Sequence, residues 1–295
     1  MAKQQFETKN FQAKSLELIE IANGILNEYA DLGFTLSLRQ LYYQLVARGH
    51  IENSIKSYKR VGTVVSDARL AGLMDWDMIE DRGRETVLPA SWDSPASIIR
   101  TAAEQFRLDR WEGQPCYVEV MVEKDALSGI LKPVCRDLHI RFTANKGYSS
   151  SSAMYEAGQR LAGAAREGRR LHVFYLGDHD PSGIDMTRDI TDRLGVFSLD
   201  RIRVKNISRL ALNINQVRQW NPPENPAKDT DTRFKAYADT FGMSSWELDA
   251  VEPATLAGLL RDAVNALIDR RQWDEIAKKE DEMRKELETF ADNYE

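Results

Sequence analysis

Two cysteines in 295 residues, Cys116 and Cys135, are too few for a disulfide framework. Both sit in apolar surroundings, so they read as buried thiols rather than metal ligands, and a reducing, cytoplasmic setting is expected. Histidine is equally scarce: His50, His139 and His172 show no metal-ligand spacing, and His179 alternates away from the acids beside it. No apolar run is long enough to span a bilayer, and AKQQFETKNFQAK after Met1 lacks the core of a signal peptide, so no membrane partner is expected. Positive charge is in deficit too, with a formal net charge of −6, which excludes a polycation coating nucleic acid over its whole surface. Repeats and low-complexity tracts are absent. What is present is an ordinary 42% of hydrophobic residues in a chain long enough for two domains, which excludes disorder.

The charge is uneven. Between Phe34 and Leu70 the bases Arg39, Arg48, Lys56, Lys59, Arg60 and Arg69 face only Glu52 and Asp67, while the C-terminal tail from Trp273 is acidic. That basic window is either a local nucleic-acid footprint or a solvated helix face. Phe11, Leu16, Leu18, Ile19, Ile21, Ile25 and Leu26 recur at helical spacing and predict a helix over 10–30. Ser37 is an N-cap for a second helix that Gly49 stops, and a third is expected over Ser54–Leu73. MDWDMIEDRGRETVLP reads as a hairpin around Arg82-Gly83. Helix, turn, basic helix and hairpin in that order resemble a winged helix-turn-helix, with Lys56, Lys59, Arg60 and Arg69 as its candidate DNA-binding residues. This first domain spans 1–92, with its linker at Leu88–Asp93. Ser94-Pro95 then starts a linking helix within 93–114.

From Pro115 the texture alternates. CYVEVMVE, HIRFTAN, LHVFYLG and DRIRVKNI read as strands, with helices between them, one bent or ended near Pro133. Four strands in about ninety residues predict a mainly parallel α/β domain over 115–210. QWNPPENPAKDTDTRF reads as a loop because its prolines deny both helix and ladder, and WELDAVEPATLAGLLRDAVNALIDRRQW returns to helix, giving a helical extension over 211–295.

In open α/β sheets ligands bind at the carboxyl ends of strands. Glu123 closes one strand here, and Asp178 and Asp180 close another. If those strands are neighbours, three carboxylates meet at one rim, which suits Mg2+, a hard ion that takes oxygen ligands. A lone D-x-D is weak evidence, and Asp180-Pro181 is equally a good helix cap.

Four segments resemble one family. GDHDPSGI is similar to the D-x-D-P-x-G-I signature of the Toprim domain in the A subunit of topoisomerase VI and the related meiotic double-strand-break proteins. VEK at Val122–Lys124 matches that family's upstream glutamate. NKGYSS at Asn145–Ser150 resembles its G-K-G-Y/F-P-D segment, with Asn145 in place of glycine and serines in place of Pro-Asp. LRQLYYQLV resembles its R-x-[LI]-[FY]-Y segment, whose last tyrosine is the DNA-attacking nucleophile and corresponds to Tyr43. The resemblance covers roughly Leu36–Asn206, and compact stand-alone A-like proteins of phages and mobile elements are the nearest fit.

The resemblance implies a fold and a chemistry. The fold is an α/β chain with an N-terminal winged-helix (CAP-like) domain, a Toprim Rossmann-like parallel sheet domain and a helical C-terminal segment. Tyr43 would attack a phosphate of double-stranded DNA, leaving a 5′-phosphotyrosyl link and a free 3′-hydroxyl. Arg39, one helical turn earlier, would hold the phosphate. Glu123 would act as general acid/base or metal ligand, and Asp178 and Asp180 would hold Mg2+. The site would be composite between subunits of a homodimer. The chain carries no ATPase module of its own, which leaves room for a separate ATPase subunit. Lys146 either contacts DNA phosphate or closes a loop. Two other readings stay open: a Toprim nuclease that uses water while Tyr43 only packs, and a non-catalytic DNA-binding protein. A phosphatase-like reading of YLGDHD gives Glu123 and NKGYSS no place.

Overall fold

In the computed structural model, which describes residues 3–80, 89–145, 148–199 and 201–293, small polar residues start several of the helices. Helix α1 (Ala13–Asp31) buries Leu18, Ile19, Ala22, Ile25, Leu26 and Tyr29 along one stripe. After strand β1 (Leu36–Ser37), a capping box between Ser37 and Gln40 opens α2 (Leu38–Ala47). Gly49 turns the chain out of α2 at a φ of 74°. Ser54 caps α3 (Ile55–Leu70). Strand β2 (Ile79–Glu80) pairs in parallel with β1. The expected hairpin partner lies in 81–88, outside the described residues. Ser94 and Pro95 begin α4 (Pro95–Gln105), as the sequence predicts.

The central sheet is built from β3 (Cys116–Val122), β4 (Arg141–Ala144), β5 (Arg170–Leu176) and β6 (Ile207–Ala211), all parallel in the order β4-β3-β5-β6. Helices α5 (Ser128–Asp137), α6 (Ser151–Arg166) and α7 (Pro181–Phe197) connect successive strands. The protein is therefore a mixed α/β chain with a four-stranded parallel sheet. β3 and β5 are almost wholly buried, as strands covered on both faces must be. One core joins β3 and β5 to α5 and the C-terminal helices, and another packs α6 and α7 on the opposite face. The N-terminal helices hold a third.

Two expectations shift here. Helix α5 runs through Pro133 instead of ending there, because Ile130, Leu131, Val134 and Cys135 are buried on both sides of it and packing outweighs one lost hydrogen bond. The strand expected in DRIRVKNI starts only at Ile207. Val204–Asn206 forms a 3-10 turn in which the Asn206 side chain accepts from Arg203 N (3.0 Å) and donates to Leu171 O (3.0 Å). Cys116 and Cys135 are buried free thiols, as expected.

Beyond the sheet come α8 (Ile214–Trp220), β7 (Glu224–Pro226), α9 (Phe234–Phe241), β8 (Ser244–Trp246), α10 (Pro253–Asn265) and α11 (Arg270–Asp292). The stretch expected to be all loop thus contains β7, which pairs antiparallel with β8 through Pro226↔Ser244. A two-stranded ribbon is all edge, and an edge tolerates proline. Likewise WELDAV is the end of β8 and a 3-10 turn (Leu248–Ala250) before helix resumes. Among the described residues no helix is long and apolar enough to cross a membrane.

The last helix is fastened by one buried acid. Glu280 is fully buried, and its carboxylate accepts from Leu108 N (2.8 Å), Arg110 (2.9 Å) and Arg284 (2.9 Å). Burial would raise its pKa, but Arg110 and the Leu108 N–H hold it below the ordinary carboxylate value. Glu280→Gln is expected to cost about 2 kcal/mol in denaturant melts, since charge-assisted bonds weaken while both arginines stay partly hydrated. A loss indistinguishable from zero would mean that α11 is held by its apolar face alone.

Candidate active site

The sheet order explains where a site can form. The chain leaves β3 toward β4 on one side, then crosses back to lay β5 on the other side of β3. The crevice beyond the carboxyl ends of β3 and β5 is therefore the switch point at which such sheets bind ligands. Glu123 follows β3, and Asp178 and Asp180 follow β5. All three line one open cleft of about 530 Å3, together with Lys124, Glu247 and Arg39. The structure thus brings the three sequence-predicted acids together, and adds Arg39 from α2 to the same cleft.

Each acid is anchored. Glu123 is buried, and both hydrogen bonds to its carboxylate fall on Oε2: one from Asp178 N at 2.8 Å, the other from the Tyr175 hydroxyl at 3.4 Å. Burial first, and then the charge of Asp178, push its pKa well above the ordinary carboxylate value. Asp178 Oδ1 accepts from Leu248 N (2.9 Å), and Oδ2 meets the Lys124 ammonium at 2.7 Å. Burial lifts Asp178 against the pull of Lys124. Asp180 is the N-cap of α7, its Oδ1 accepting from Gly183 N (2.6 Å) and the Ser182 hydroxyl (3.0 Å). Helix cap and cleft-lining acid are the same residue.

The β5–α7 turn that carries both aspartates is clasped by Arg209. Its guanidinium donates to the carbonyls of Gly177 (2.9 Å), Gly183 (2.9 Å) and Asp178 and lies 5.5 Å from the Tyr175 ring centroid. His179 points away from the cleft, as alternation predicts. It is buried, donates its backbone N–H to Trp246 O (2.8 Å), and pairs Nδ1 with the Tyr237 hydroxyl (2.8 Å). Burial pushes its pKa down to about 4.

Sequence reasoning missed two acids. Glu247 bonds Arg39 bidentately, with one contact at 2.7 Å, and also meets Lys124 at 2.9 Å. Asp249 meets Lys124 at 3.2 Å. Burial alone would lower the pKa of the ammonium, but Asp178, Asp249 and Glu247 outweigh it and hold Lys124 charged. The available signal was Glu247-Leu248-Asp249, an acid-x-acid pattern directly after a strand, like Asp178-His179-Asp180.

Tyr42 and Tyr43, adjoining on α2, are both buried. The Tyr42 hydroxyl donates to Asn53 Oδ1 (2.8 Å) and accepts from Ser54 N (2.8 Å), so it ties α2 to the cap of α3. The Tyr43 hydroxyl accepts from Asn225 Nδ2 at 3.2 Å, and Arg39 lies 5.7 Å from its ring centroid. Desolvation first, then the charge of Glu247, push the Tyr43 pKa up to about 12. Asn225 itself lines the cleft, so Tyr43 stands just behind the wall of its own chain's cleft.

The candidate DNA-contacting bases divide. Lys56, Lys59 and Arg60 are exposed on α3. Arg69 instead donates to the carbonyls of Trp76 (2.8 Å) and Ile79 (2.7 Å) and covers the Trp76 ring, which commits it to holding β2. Lys146 lies outside the described residues. Its neighbour Tyr148 is tied to α7, donating to Asp185 Oδ2 (2.9 Å), and Arg233 joins both. Asp185 is held down to about 2, by Arg188 foremost and also by Tyr148 and Arg233. Its folded pKa is thus below the unfolded value of roughly 4, so its contribution is present above pH 4 and lost as pH falls toward 2. Wild-type stability is expected to drop more steeply than that of Asp185→Asn in denaturant melts across this window, and parallel curves would refute the assignment.

Among the described residues no group of three His, Cys, Asp or Glu side chains is arranged to hold a metal ion. The Lys124 ammonium sits on Asp178. The donors nonetheless fit one hard cation. They are all carboxylate oxygens, and among the described residues hydrogen bonds to Glu123 and Asp180 engage only one oxygen of each. Six carboxylates and three cations line the cleft, an excess of three negative charges that would repel a phosphate. Compared with known proteins, the chain matches no family model and no curated protein.

Proposed function

We propose that the protein is a divalent-metal-dependent DNA-cleaving enzyme of the topoisomerase VI A-subunit type, its N-terminal helices forming a winged-helix domain and its parallel sheet a Toprim domain. The observation that carries this reading is that Glu123, Asp178 and Asp180, from two adjacent strand ends, share a cleft with Arg39 from the helix of Tyr43. The Tyr43 hydroxyl attacks phosphorus and loses its proton. The P–O3′ bond breaks, the 3′ oxygen takes up a proton, and a 5′-phosphotyrosine remains. Arg39 steadies the phosphate, and Glu123 serves as a carboxylate ligand for the divalent cation. A bound Mg2+ would stabilise the charge that builds on the phosphate. Exposed Lys56, Lys59 and Arg60 supply backbone contacts to the duplex, and a homodimer presents two such sites to the two strands.

One observation favours a second reading. Tyr43 is only 2% exposed and hydrogen-bonded to Asn225, so the cleft as it stands is open to water rather than to the phenol. In that reading the chain hydrolyses DNA and Tyr43 only packs. The test is to incubate the protein with supercoiled plasmid and Mg2+ or Mn2+, denature, and look for protein on the cut ends. Protein-linked 5′ ends support transesterification, and free ends after metal-dependent cutting support hydrolysis. No cutting with any metal sinks both.

A further inference from the structure

Resting on that reading, we propose that the cleft takes a single divalent cation, held by Glu123 and Asp180. Lys124 then stands as the second cation of the site, with Asp178 as its counter-ion rather than a metal ligand. The argument is one of committed lone pairs. Both oxygens of Asp178 are engaged, Oδ1 by the Leu248 N–H at 2.9 Å and Oδ2 by the Lys124 ammonium at 2.7 Å. Among the described residues, hydrogen bonds engage one carboxylate oxygen each of Glu123 and Asp180, and both residues line the cleft. One or two carboxylates are what Mg2+ commonly takes from a protein, with water and phosphate filling the remaining positions.

A second observation marks where a further ion would have gone. Asp178, Glu247 and Asp249 converge on the Lys124 ammonium at 2.7, 2.9 and 3.2 Å, and Asp249 Oδ1 is buried with no hydrogen-bond partner. Three carboxylates around one point, one of them with an unused buried oxygen, describe a cation position that this chain fills with its own side chain. Two-metal phosphoryl-transfer sites set their ions roughly 3.5–4 Å apart across shared ligands. Here Asp178 is the shared neighbour, with Lys124 on one side and the Glu123–Asp180 pair on the other. The ammonium also fixes the site's reach, because Glu247 ties it to Arg39, so these two cations of the cleft share one carboxylate. A phosphodiester entering the cleft beside Lys124 would meet one metal ion, the Lys124 ammonium and the Arg39 guanidinium.

The experiment counts Mn2+ ions bound by the full-length protein, by titration calorimetry and by electron paramagnetic resonance of free Mn2+, without DNA. Wild type is expected to bind one ion per chain, and Glu123→Gln to weaken it by about tenfold or more, the scale on which metal sites lose affinity when a ligand environment is damaged. Lys124→Met vacates the three-carboxylate position and is expected to bind two ions. Lys124→Met/Asp178→Asn removes the internal ion pair as a unit and is expected to bind one ion within roughly threefold of wild-type affinity, well short of that ligand-loss scale. Thermal melts of each variant confirm that the folded protein is being titrated. Two ions in wild type, or loss of the ion in the double variant, overturn the assignment, as does the absence of Mn2+ binding. The plasmid assay separates this from the parent reading. One ion bound in this pattern with no DNA cut leaves the single-cation site standing and removes cleavage, whereas cutting with two ions bound does the reverse.

Discussion

Tyr43→Phe is expected to abolish the covalent protein–DNA adduct, by roughly a thousandfold or more, as is typical when a nucleophile is removed, while the protein stays folded. Loss of the hydroxyl removes one bond, from Asn225 Nδ2 at 3.2 Å, which is worth about 1 kcal/mol. The ring keeps its edge-on contact with Tyr42 at 5.2 Å and its cover by Arg39. A fall in adduct with a melt lowered by no more than that bond's worth therefore reports chemistry and not folding. The buried phenol also sets conditions on the reaction. Its pKa is pushed up to about 12, so near neutral pH it attacks as a phenol whose proton must leave during bond formation. It must also part from Asn225, which sits in β7, before Tyr43 can reach a phosphate. If Tyr43→Phe cuts plasmid at the wild-type rate, the hydrolytic reading stands and the tyrosine is packing.

That dependence on β7 shows where sequence reading succeeds and where it stops. The strands β3 and β5 were legible because continuous apolar runs bounded by turn residues describe a sheet covered on both faces. The caps at Ser37, Ser54, Ser94 and Asp180 were legible because each is a local hydrogen bond between residues three apart. Glu123, Asp178 and Asp180 followed from strand ends alone. The partners of those acids were not legible, because they arrive from far along the chain. Leu248 N reaches Asp178 across 70 residues, and Glu247 reaches Arg39 across 208. The acid-x-acid pattern at Glu247-Leu248-Asp249 marks two candidates but not their partners, and the apolar positions of Trp246–Val251 fit a helix as well as the observed strand end and 3-10 turn. Arg69 was misread for a similar reason. A base in a basic helix looks solvated until the carbonyls of Trp76 and Ile79 are seen to hold it. The strand in DRIRVKNI moved because Asn206 spends its side chain on a local turn and on Leu171, which delays the ladder to Ile207.

Gly183→Ala is expected to cost about 3 kcal/mol and to take metal binding with it, as overpacking against backbone does when nothing nearby can yield. A methyl group on Gly183 would overlap the carbonyl of Asp178 and come within 3.1 Å of Asp180 Oδ1. Neither neighbour can retreat. The Asp178 carbonyl is gripped by Arg209, which also holds the Gly177 carbonyl at 2.9 Å, and Asp180 Oδ1 accepts from Gly183 N itself at 2.6 Å. The substitution therefore pushes the first turn of α7 off the β5 end and swings both aspartates out of register with Glu123. A helix interior ordinarily gains from Gly→Ala, and Gly195 in the same helix provides the contrast, because its nearest neighbour would be Ile202 O at an ordinary 3.6 Å. Gly195→Ala is thus expected to be neutral or to stabilise by about 0.5–1 kcal/mol, with Mn2+ binding unchanged. Denaturant melts and Mn2+ titration of the two variants separate the ideas. If Gly183→Ala melts like Gly195→Ala and keeps its metal, the close approach of the Asp178 carbonyl is not what shapes the site, and the glycine serves only the turn.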